Sequence, residues 1–128
     1  MQLRVNNQAL PIATVSDVRQ HLEQVRLQQF SEVWLTAGDD GPSLAMFVNG
    51  TQAWLMYLCD DHGDPGLHSL NPSYHGPADL LMQFQVSNGQ MDEYPVAWTL
   101  ALEEACDACA YFATTQGRRS PAITWEDS

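Results

Sequence analysis

The chain has 128 residues and a formal net charge of −11, from 16 acidic side chains against five arginines and no lysine. Its length is that of one domain, 1–128, with enough chain to bury an ordinary core. The charge balance argues against direct binding of nucleic acid or anionic membrane, which rests on lysine and arginine.

The absence of a charged-then-apolar leader and of any apolar run near the ~20 residues of a membrane span gives the expectation of an unexported, cytoplasmic protein. Three cysteines, Cys59, Cys106 and Cys109, are an odd number, and the last two lie on one helix, as fits reduced thiols.

Residues 2–6 and 9–13 read as short extended pieces, broken by Asn6-Asn7 and Pro11. Thr14 followed by Asp17 is a capping-box start, and Val18, Leu22, Val25 and Phe30 keep to one face of a helix over 15–29. A three-strand meander follows at 32–37, 43–48 and 51–60, with turns at 38–42 and at Asn49-Gly50. Its strands are almost wholly apolar, which implies a sheet covered on much of both faces.

Residues 60–79 carry glycine and proline at six positions and read as one long loop. A hairpin over 79–98 turns at Asn88-Gly89, the signature of a two-residue type I′ turn. That turn pairs Phe84 with Glu93, and it places Glu93 on the face shared by Leu80, Met82, Phe84 and Val86. Two resolutions are open. Either a bulge near Pro95, which cannot donate to a ladder, swings Glu93 to solvent and Tyr94 inward, or Glu93 is buried against a donor such as a backbone amide, a tryptophan N–H or Arg118/Arg119.

Thr99 then caps a helix over 100–116, with Leu102, Ala105, Cys106, Cys109 and Phe112 at helical spacing. Gly117 stops it, Arg118-Arg119 suit its negative end, and 121–126 form a closing strand. The fold class expected is α+β: a mainly antiparallel sheet of about six strands with two principal helices packed against it.

Three groups of residues bear on chemistry. Cys59-Asp60-Asp61-His62-Gly63-Asp64, with His68 and His75, has ligand-type side chains without the spacing of a calcium loop, a zinc knuckle or a His-Glu-x-x-His helix. Cys106-Asp107-Ala108-Cys109 is a C-x-x-C far from a helix N-terminus, where nothing lowers a thiol pKa, and it reads as core. Asp92, Glu93, Tyr94 and a histidine offer acid and base groups, but no nucleophile elbow or phosphate-binding loop accompanies them. Binding is expected rather than catalysis, with no cofactor and no metal.

Several pieces in order carry a resemblance: Gly63-Asp64-Pro65-Gly66-Leu67-His68-Ser69, then Phe84-Gln85-Val86-Ser87-Asn88-Gly89-Gln90, then Asp92-Glu93-Tyr94-Pro95 and Trp98. Ala105, Tyr111-Phe112, Gly117, Pro121 and Trp125 complete it. Together they resemble immunity protein family one of bacterial polymorphic toxin systems, most strongly over 84–125. The resemblance implies a cytosolic, non-catalytic inhibitor that binds a cognate toxin domain in interbacterial competition. Toxins in such systems include deaminases and other enzymes that attack nucleic acid, and an enzyme acting on a polyanion needs a cationic groove.

The charge map fits such a partner independently, because residues 27–117 hold twelve carboxylates and no basic side chain. The expected partner-binding residues are Asp39, Asp40, Asp60, Asp61, Asp64, Leu67, His68, Tyr74 and Asp92, with Tyr74, Tyr94 and Leu67 either anchors or core. Asn88, Gly89, Glu93, Tyr94, Pro95, Trp98 and Trp125 are expected to shape the fold. Two other readings remain: an acidic adaptor for a basic host protein, and a small metalloenzyme using His62, His68 and His75.

Overall fold

The computed structural model describes residues 1–59 and 65–128. Three tight turns organise it. Strands β1 (Gln2–Val5) and β2 (Gln8–Leu10) meet at Asn6-Asn7, both at positive φ (51° and 67°), the pattern of a type I′ turn. Helix α1 (Val15–Val25) starts as expected: the Thr14 hydroxyl accepts from the Asp17 amide, and the Asp17 carboxylate accepts from the amides of Thr14 and Ala13 at 3.0 and 2.7 Å. It ends four residues short of 29, in turns closed by Leu27 and Gln28, because Phe30 already belongs to the next strand.

The meander forms as β3 (Phe30–Thr36), β4 (Ser43–Asn49) and β5 (Gln52–Leu58). Between β4 and β5 the central turn residues are Gly50 and Thr51, with Gly50 alone at positive φ (61°), the pattern of a type II′ turn rather than one centred on Asn49-Gly50.

The long loop expected over 60–79 contains a strand, β6 (Leu67–Leu70), which pairs with β5 and with β10 (Thr124–Asp127). Four residues between glycine- and proline-rich flanks are too few for a visible alternation. The outer edge of β5 is divided. β6 takes Met56 and Tyr57, the two-residue β9 (Leu100–Ala101) takes Gln52 and Ala53, and between them the buried Ser69 hydroxyl accepts from the Leu55 amide at 2.9 Å and donates to the Trp98 carbonyl at 2.8 Å. Ser69→Ala leaves the Leu55 amide and the Trp98 carbonyl without that partner, so unfolding in urea should show a loss of about 1–3 kcal/mol.

Among the described residues all pairings are antiparallel, and the main sheet has eight strands, in the order β10-β6-β5-β4-β3-β1-β2 with β9 beside β5. On one face α1 and α2 (Leu102–Thr115) bury Leu3, Val33, Leu35, Met46, Leu55 and their neighbours. Thr99 does not cap α2. Its hydroxyl instead donates to Val96 in a single 3-10 turn (Val96–Trp98), and the cap position falls to Ala101, whose side chain offers no bond. The Leu102 amide bonds the Thr51 carbonyl, so the β4–β5 turn supplies what a side chain does not. The α2 terminus turns through Gln116 (φ 59°) and Gly117 (φ 119°), where a Cβ on Gly117 would lie 2.6 Å from Pro42.

The opposite face is covered by the hairpin of β7 (Leu81–Gln85) and β8 (Met91–Pro95), which forms a second sheet of two strands. Both faces of the main sheet are therefore occupied, and the α+β class stands with more strands than the six expected.

Candidate partner surface

The hairpin turn decides what this second face displays. Phe84 pairs with Asp92, Gln83 with Glu93 and Met82 with Tyr94, one residue out of the register expected for a two-residue turn. The loop has three residues, Ser87 to Gly89, closed by Val86 N–H to Gln90 O at 2.9 Å, with Gly89 at φ 91° and no positive φ at Asn88. That is a type I turn followed by a left-handed residue. The extra residue sits in the turn, not at Pro95, and one residue of slip exchanges the faces. Glu93 is exposed and Tyr94 turns inward.

Inward-facing side chains fasten the hairpin. Phe84 is 0% exposed and packs with Ala45, Phe47 and Trp54, joined by Met82, Val86, Tyr94 and Trp98. Phe47 stacks on Trp54 at 4.7 Å between ring centres, and Tyr94 lies 4.4 Å from Trp54. The Tyr94 hydroxyl faces the Asp92 carboxylate at 3.4 Å, and burial, then that charge, raises its pKa above the usual 10.

Glu32 on β3 ties down the turn. One carboxylate oxygen accepts from the Ser87 amide at 2.7 Å and the other from the Trp34 indole at 3.2 Å. Burial alone would raise its pKa; the bonds from Ser87 and Trp34 outweigh burial and hold it below 4.5. A lowered carboxylate pKa adds stability that is complete above about 4.5 and is lost as pH falls through the folded value. Melting temperatures measured between pH 6 and pH 3 should therefore fall less for Glu32→Gln than for the unmodified chain, and the Ser87 amide resonance should move in the same acid range.

The outer face of the hairpin is open. It presents the cross-strand pairs Leu81–Pro95, Gln83–Glu93 and Gln85–Met91, preceded by Leu80. Leu80, Leu81 and Met91 are 49, 48 and 42% exposed, half of the exposed large apolar side chains among the described residues. A two-residue turn would set Met91 inward with Phe84; the three-residue turn exchanges the faces of β8 and carries Met91 out, whereas Leu80 is exposed because it precedes the first residue of β7.

The structure distributes the expected partner-binding residues unevenly. Asp39 and Asp40 are exposed in the turn between β3 and β4. Asp60, Asp61 and Asp64 lie outside the described residues, as does His62. Asp92 is half-buried beside Tyr94. Leu67 is packed against the helix-side core. Tyr74 is half-buried, its hydroxyl donating to the Pro77 carbonyl at 2.7 Å.

His68 is a correction. It is 3% exposed, stacked on Trp98 at 3.8 Å, with its ring nitrogens 3.0 Å from Glu126 and 3.1 Å from Ser128, so it belongs to the interior and not to an open contact surface. Trp98 packs on the hairpin-side core and Trp125 on the helix-side core, where the Trp125 indole donates to the Ser120 carbonyl. Arg118 and Arg119 lie beyond the α2 terminus, and Arg119 sits 5.5 Å over the Tyr57 ring.

Among the described carboxylates of residues 27–117, only Asp107 reaches an arginine, Arg19, at 3.3 Å. Burial pushes the Cys106 thiol up to about 11 and raises Cys109 as well, which leaves the C-x-x-C pair protonated core residues. No three His, Cys, Asp or Glu side chains among the described residues are grouped to hold a metal ion, and no helix there is long and apolar enough to cross a membrane. Compared with models of protein families the chain matches none, and a search of curated proteins finds no match.

Proposed function

We propose that this chain is an immunity protein: a non-catalytic, cytoplasmic inhibitor that binds a cognate bacterial toxin domain and covers its active-site cleft. The observation that carries the reading is one of composition and exposure together. Asp39, Asp40, Asp79 and Glu93 are exposed without an arginine partner, and the hairpin that bears Glu93 also exposes Leu80, Leu81 and Met91. Carboxylates bring a basic partner in quickly, and apolar side chains among them supply the buried contacts that hold it. A toxin acting on nucleic acid, a deaminase or a nuclease, has the cationic cleft such a surface fits. The motif residues Asn88, Gly89, Tyr94, Pro95 and Trp98 support it from beneath by fixing the hairpin.

The test is genetic and biochemical. The reading frame adjacent to this one, expressed alone, should arrest growth; co-expression with this chain should restore growth, and the two products should co-purify. An adjacent product that is harmless, or toxicity that this chain does not relieve, overturns the reading.

A further inference from the structure

We infer that the free edge of β8 receives an extended, basic segment of the partner as a third strand. The inference rests on the immunity reading for the identity of the partner, but its geometry stands on the hairpin alone. The Val86 amide bonds the Gln90 carbonyl and the Val96 amide bonds the Leu80 carbonyl, both at 2.9 Å. Bonded and non-bonded pairs alternate along an antiparallel ladder, so between these two the bonded pairs are Phe84–Asp92 and Met82–Tyr94. Met91, Glu93 and Pro95 therefore turn their backbone polar groups away from β7. No described strand pairs with that side of β8. The corresponding edge of β7 is engaged instead, since the Gln83 carbonyl accepts from the Asn49 side chain at 2.8 Å.

A strand edge with its N–H and C=O groups unpaired is a template for another chain. The residues of β8 select which chain. Pairing of β8 with a second copy of itself about its centre would set Glu93 against Glu93, and like charges directly opposite are destabilising. A cationic residue at that position is favoured by the same group. Across from Met91 and Pro95 an added strand meets apolar side chains, and across from Asp92 it meets a second carboxylate. The segment that fits is five residues long, apolar at both ends and basic at its second or fourth position and at its centre. The platform is already anchored to the main sheet by Phe84, by the Glu32–Ser87 bond and by Asn49, so the strand that receives the segment is formed before binding.

The probe is a disulfide-closed hairpin peptide presenting Val-Lys-Lys-Thr-Val on its outer strand, with a Val-Glu-Glu-Thr-Val version as its counterpart. Added to the full chain, the lysine peptide should slow hydrogen exchange at the amides of Met91 and Glu93 at least tenfold. The glutamate peptide should not. Glu93→Lys should reverse the preference, and Met91→Pro, which keeps the β7 ladder but removes one outward donor, should weaken binding of the lysine peptide at least fivefold with melting temperature as the control on folding. Unchanged exchange at both amides in millimolar lysine peptide, or slowing elsewhere on the molecule only, overturns the proposal. The toxin assay separates the two readings. Failed growth rescue with the peptide seated on β8 removes the immunity reading alone, whereas rescue that survives Met91→Pro and Glu93→Lys at full strength removes the edge alone.

Discussion

Replacing Phe84 by alanine should lower the unfolding free energy by about 3–5 kcal/mol, the range for truncating a fully buried phenylalanine. Phe84 has no exposed surface and lies under a two-stranded hairpin, an element with marginal stability of its own. The other tethers are few: Tyr94 against Trp54, Glu32 to Ser87, and Asn49 to Gln83. Removing the ring takes away the contact that none of these replaces, so the hairpin should lift before the main sheet unfolds. Tryptophan fluorescence, which reads Trp34, Trp54 and Trp98 beneath the hairpin, should then change at a lower temperature than the helical signal. Glu93→Ala on the exposed face of the same hairpin should stay within about 0.5 kcal/mol of the unmodified chain. Coincident transitions and a small loss for Phe84→Ala would show that the hairpin is held by something other than this core.

The contrast between those two positions was only half legible in the sequence. The capping box at Thr14, the apolar meander and the helical spacing of Leu102 to Phe112 each repeat one signal over many residues, and the structure forms them with shifted ends. The turns were harder because a dipeptide is compatible with several lengths. In the β4–β5 hairpin the centre moved from Asn49-Gly50 to Gly50-Thr51, which preserves the faces; in β7–β8 the loop grew by one residue, which exchanges them. A slip of one residue therefore carried Glu93, Met91 and Tyr94 to faces opposite those of the two-residue turn. His68 and Ser69 were hidden for another reason. Their strand is four residues long, and its burial depends on Trp98, Glu126 and Leu55, which are distant in sequence.

Reversing Asp39, Asp40, Asp60, Asp61 and Asp64 together to lysine changes the formal net charge from −11 to −1, two units at each of five positions. Electrostatic steering raises association rates by roughly 10- to 1,000-fold over neutral encounter, so association with the cationic toxin proposed as partner should be slower at low salt by one to two orders of magnitude. The two rates should converge as salt shortens the Debye length from about 30 Å at 0.01 M to about 8 Å at 0.15 M. Dissociation should change less, because Leu80, Leu81 and Met91, the exposed apolar side chains proposed to supply the buried contacts, are untouched.

Stability supplies the control. Asp39 and Asp40 are exposed and take part in no described hydrogen bond or ion pair, so the Asp39→Lys, Asp40→Lys double variant should melt within a few degrees of the unmodified chain. Stopped-flow association at several salt concentrations reads the effect directly. An association rate that ignores both the five reversals and the salt would remove charge from the recognition and leave the partner to be chosen by shape and apolar contact alone.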